Sequence, residues 1–235
     1  MVQAMVGPSW FLGVDASLEA LAGIIALAVA FAAFHMYSLT KERRYAFLTS
    51  SFALMTASFI SRAVTDVLLA NKEVSLSAAM AKNVFILGYV THILLALLAY
   101  VLLIILTYRL PDKRLWVLLV LILMPSLLLS SSYFLSFYGL SVILLGFVSL
   151  AFYDNYVNNR SCAAGMVFLA FALLTLSQIQ FLLGPLKDLL YVSAHATQAA
   201  GFLMLFFVLV KVKLRPKDIA RDEKLDVKKG KKRSK

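Results

Sequence analysis

The sequence predicts an all-α polytopic membrane protein. Seven transmembrane helices are expected, as two parallel three-helix repeats joined by a linker helix. Three observations carry this. The 235 residues are 62% hydrophobic and 15% charged, against about 45–50% and 25% in soluble domains, and mean hydropathy is +0.87. Seven stretches are long and apolar enough to cross a hydrocarbon core of about 30 Å. A shift of 119 residues lays Leu21–Ser58 on Leu140–Ser177 without a gap.

The spans fall at about 17–39, 45–70, 84–108, 115–132, 133–154, 162–183 and 190–212. The fourth is the least regular, because Pro125 sits within it and kinks it by removing one backbone hydrogen bond. Residues 1–16 form an extracytoplasmic segment, 17–212 the transmembrane domain and 213–235 a basic cytoplasmic tail. Repeat one covers 17–108, the linker helix 115–132 and repeat two 133–212. The N-terminus has no basic region ahead of an apolar run, so it does not read as a cleaved signal peptide, and the first span does the targeting.

Lysine and arginine set the orientation. Nineteen of 23 lie in alternate connections and the tail: Lys41, Arg43 and Arg44, then Arg109, Lys113 and Arg114, then Arg160, then twelve from Lys211 onward. The other side holds Lys72, Lys82 and Lys187. A protein of the cell membrane is expected, N-terminus outside and C-terminus cytoplasmic. From Lys211 onward the chain carries twelve basic and four acidic residues, which gives the tail attraction for anionic headgroups. No aromatic interleaving or folded module points to nucleic acid. A protein partner at the basic face and a homo-oligomer remain open.

The duplication rests on ten identities in 38 aligned positions, among them Phe52/Phe171, Ala53/Ala172, Leu54/Leu173, Thr56/Thr175 and Ser58/Ser177. With a shorter second loop, His92 falls on His195. Three helices invert the chain, so a second copy in the same orientation needs one extra crossing, which the fourth helix supplies. In helix count, orientation and repeat the chain resembles the duplicated seven-helix membrane proteins. These include SWEET-type sugar transporters, PnuC-type vitamin transporters and microbial rhodopsins. The helices that would carry the SWEET proline–glutamine pair read AVAFAAFHMY and FVSLAFYDNY, and the last helix has no lysine at its middle. The stretches KERRYAFLTSSFALMTASFI and HATQAAGFLMLFFVL are also similar to prokaryotic membrane-sensor modules. The resemblance implies a solute carrier or a sensor.

Intramembrane charges cost about 2.5–3.5 kcal/mol or more each, so each needs a reason. Arg62 and Asp66 stand i, i+4 on the second span, where cation and carboxylate meet. Glu19, Ser58, Thr65, His92, Ser177, Gln178, Gln180, His195, Thr197 and Gln198 fall in the same outer half. Polar side chains avoid lipid, so a polar outer pocket between the halves is expected. Arg62 and Asp66 would bind a charged group there, with His92, Gln178, His195 and Gln198 lining it. The solute would be small and polar or anionic, and the protein would bind or transport it. A sensor using the same pocket is a second reading. A third makes His92 and His195 axial haem or metal ligands, although hydrogen-bonded core histidines need no cofactor. His35 lies at the opposite end of its span, so the three histidines form no single zinc site. One cysteine, Cys162, excludes an intrachain disulfide and a cysteine-rich metal centre. No nucleophile motif, phosphate loop or catalytic carboxylate pair points to an enzyme.

Overall fold

A computed structural model describes residues 8, 10, 11, 13–70, 78–108, 117 and 133–214. Among these there are six long helices and no strand: α1 (Val14–Thr40), α2 (Arg43–Ala70), α3 (Ala78–Thr107), α4 (Tyr133–Asn159), α5 (Cys162–Leu183) and α6 (Asp188–Leu214). All six are long and apolar enough to cross a membrane, and the chain is a multi-pass membrane protein on that ground. The expected fourth span, 115–132, lies outside the described residues except for Val117, as does the tail from residue 215.

Each helix hides one face and offers the other to lipid. On α1 the small residues Ala22, Ala26, Ala30 and Ala33 are buried, while Ile24, Leu27, Phe31 and Phe34 are exposed. Small residues let backbones approach, which is how helices associate where lipid supplies no hydrophobic drive. The approach is tightest at Gly88 of α3. A Cβ there would sit 1.9 Å from Thr65 Oγ1 of α2, and Ser61 Oγ donates to Gly88 O at 3.1 Å beside it.

Neighbouring helices close a ring: α1 packs on α2, α2 on α3, α3 on α4, α4 on α5, α5 on α6, and α6 returns to α1. Phe52, Leu103, Leu145, Val148, Phe171 and Phe202 are among its buried core. The helix ends agree with the sequence offset. α1 and α4 are each 27 residues long, and α4 and α5 begin 119 residues after α1 and α2. Lys41 and Arg160, also 119 apart, close α1 and α4 at positive φ, 55° and 48°. Their N–H groups donate to Tyr37 O at 2.8 Å and Tyr156 O at 2.7 Å.

α1 begins at Val14, and Phe11 is already buried. Asp15 Oδ1 accepts from Gly13 N at 2.9 Å and Ala16 N at 2.8 Å. That satisfies free N–H groups of the first turn, and it starts the helix ahead of the apolar run.

Candidate functional site

Arg62 lies on α2 eight residues before its end, and its residue is 7% exposed. Its Nε stands 2.7 Å from Glu19 Oε1 of α1, whose residue is 1% exposed. The contact is an ion pair off the line of a hydrogen bond, and both Glu19 oxygens are buried without a hydrogen-bond donor. Asp66 Oδ2 is 3.9 Å from Arg62 Nε, and the Tyr89 hydroxyl of α3 donates to Asp66 Oδ1 at 2.5 Å. The guanidinium carbon lies 6.0 Å from the Tyr89 ring centroid and 5.9 Å from that of Phe181 on α5, within cation–π range. One cation thus has two carboxylates and two aromatic faces around it.

Beside Arg62 is a cavity of about 10 Å³, room for about one water-sized group. Arg62, His92, Tyr138, Gln178 and Gln198 supply polar lining. They come from α2, α3, α4, α5 and α6, and Glu19 adds α1 through its ion pair, so all six described helices contribute at the ring's centre. Gln178 Oε1 is buried there without a partner. Buried orphaned acceptors are uncommon in folded proteins.

His92 is held between α2 and α3. Its Nδ1 is 2.8 Å from Ser58 Oγ and 3.1 Å from Ser58 O, while Ser58 Oγ donates to His92 O at 2.9 Å. A carbonyl only accepts, so Nδ1 carries the proton and Nε2 is the acceptor nitrogen. His195 has different company. Its ring centroid is 5.5 Å from Phe11, 4.8 Å from Phe181 and 4.9 Å from Tyr191. Its Nε2 is buried without a partner.

Of the six residues singled out in the sequence, Arg62, His92, Gln178 and Gln198 meet at the cavity. Asp66 joins through Arg62. His195 is not among the lining residues. An axial histidine pair would need both rings to open on one slot, whereas aromatic rings pack on each, Phe59 and Phe137 on His92. Among the described residues no group of three or more His, Cys, Asp or Glu is placed to hold a metal ion.

Sequence reasoning placed Glu19 in the outer polar set but did not pair it with Arg62, and it missed Tyr89 and Tyr138. A carboxylate on another span at matching depth was the available signal for Glu19. The tyrosines gave none beyond a hydroxyl within an apolar run. Comparison of the chain with protein-family models, with curated proteins and with solved structures finds no match in any of the three.

Proposed function

We propose that this protein binds a small polar solute, an anion foremost, at the centre of its helix ring and carries it across the membrane. The observation that carries this reading is the convergence of polar side chains from five helices on one cavity beside Arg62, with Glu19 of the sixth paired to that arginine. Guanidinium groups are suited to carboxylate and phosphate because their N–H forks match two oxygens. The residue lies nearer the end that holds the start of α1, the outer end under the positive-inside rule. The cavity takes only a water-sized group in this conformation, so a solute enters by an opening of the ring.

Two matched halves would provide that opening. The 119-residue offset common to α1/α4, to the start of α2/α5 and to the Lys41/Arg160 caps supports a duplicated fold. So does the ring order, in which α1·α6 and α3·α4 are the joints between halves. A seventh helix at 115–132 would join the copies, and rocking about the two joints gives alternating access. Enzymatic chemistry is no part of this proposal.

The test is a thermal-shift screen on purified protein in detergent, using mono- and dicarboxylates, phosphate, amino acids, sugars and amines. Anionic compounds are expected to stabilise the protein, and Arg62→Gln to abolish the shift while the protein stays monodisperse. Uptake of the stabilising compound into proteoliposomes then follows. Binding without flux would make the protein a sensor. Equal stabilisation of Arg62→Gln, or no stabilising compound, would sink the reading.

A further inference from the structure

We propose that Glu19 is a proton-binding site governed by Arg62. The carboxyl is charged while the guanidinium pairs with it, and it takes up a proton when Arg62 is drawn to another anion. Coupling of that proton to solute rests on the reading of Arg62 as an anion anchor. The response of Glu19 to loss of its partner does not.

Glu19 is 1% exposed, and among the described residues neither oxygen receives a hydrogen bond. Its one close counter-charge among the described residues is Arg62, at 2.7 Å. The other ionisable groups facing it favour the neutral form or carry no positive charge. Asp66 on α2 and Asp15 on its own helix are acids, His92 on α3 is hydrogen-bonded to Ser58, and His195 on α6 packs among aromatic rings. Tyr89, Tyr138 and Tyr191 complete the ring from α3, α4 and α6. A buried carboxylate deprived of its only cation neutralises by taking a proton, because desolvation of the charge costs more than protonation.

Asp66 behaves differently, which makes the switch specific. It receives the Tyr89 hydroxyl at 2.5 Å, its side chain is 17% exposed and it stands 3.9 Å from Arg62. It therefore keeps a donor when Arg62 moves. An anion that takes Arg62 from Glu19 leaves one acid with support and one without. The unsupported acid binds one proton, so anion and proton enter the site together, one for one. No bond is made or broken apart from the O–H bond on Glu19, and the proton comes from solvent.

The experiment is infrared spectroscopy of the full-length protein reconstituted in lipid at neutral pH. It follows the C=O stretch of protonated carboxyl groups, above the amide bands. Wild type is expected to show no such band that Glu19→Gln removes. Arg62→Gln is expected to gain one protonated carboxyl, absent from Arg62→Gln/Glu19→Gln. Arg62→Lys keeps a cation in place and is expected to resemble wild type, and it serves as the folded reference if Arg62→Gln is damaged. An Arg62→Gln protein with Glu19 still ionised would overturn the proposal, and so would a Glu19 band already present in wild type. Either result stands whether or not the solute screen succeeds.

Discussion

Removing one member of the Glu19–Arg62 pair is a different perturbation from removing both. Arg62→Ala leaves Glu19 buried without a cation, and breaking buried pairs in this way costs about 3–5 kcal/mol. Replacing both with apolar side chains removes the orphan together with its partner, so the double variant Glu19→Leu/Arg62→Leu is expected to melt above Arg62→Ala. Thermal unfolding in detergent, read as a double-mutant cycle, measures this. An Arg62→Ala protein as stable as wild type would show that the pair carries little. A second contrast uses equivalent positions of the proposed repeat. Ser58 ties α2 to α3 through His92, whereas Ser177 Oγ donates to Leu174 O within its own helix. Ser58→Ala is expected to cost about 1–3 kcal/mol and Ser177→Ala distinctly less. Equal losses would contradict the interhelical role of Ser58. Arg62 and Asp66 were legible as a pair because i, i+4 spacing is local. The stronger partner, Glu19, was not, because its approach depends on how α1 rotates against α2, which no single helix encodes.

Between helices, the α2–α3 joint depends on the absence of a side chain at Gly88. A methyl there would overlap Thr65 Oγ1, at 1.9 Å from its position, so one helix must move. Overpacking of this kind costs about 1–3 kcal/mol. Gly88→Ala is expected to lower the melting temperature, and Gly88→Ala/Thr65→Ala to recover part of the loss. A double variant no more stable than Gly88→Ala would show that the strain lies elsewhere. Helix positions were readable from hydropathy because each span keeps an apolar outer face, as α1 does with Ile24, Phe31 and Phe34. Helix ends were less so. The first span was expected to begin at residue 17, and α1 begins at Val14 through the Asp15 carboxylate. The fifth was expected to stop at 154, and α4 runs to Asn159, where the Arg160 cap closes it. Hydropathy does not register a side chain that accepts from a first-turn N–H, nor a left-handed cap.

For the molecule as a whole, charge is the ground on which an orientation in the membrane is proposed. Among described residues, Lys41, Arg43, Arg44, Arg160 and Lys211 gather at one end of the ring, and Lys82 and Lys187 at the other. By the positive-inside rule we propose that the first end is cytoplasmic. Order around the ring was beyond the sequence, since seven hydrophobic spans constrain depth and leave neighbours undetermined. A direction could be proposed from the sequence, because lysine and arginine crowd one set of connections. Cys162 makes the direction measurable without an engineered label. It is the chain's one cysteine, it is exposed, and it opens α5 at the basic end, where Lys211 Nζ lies 3.2 Å from its Sγ. A membrane-impermeant maleimide is expected to leave Cys162 unmodified in intact cells and to label it in inverted membrane vesicles, with Cys162→Ser as the blank. Labelling in intact cells would place the basic end outside. The Arg62 cavity, nearer the opposite end, would then open toward the cytoplasm, and the anion and proton proposed to meet there would be drawn from inside the cell.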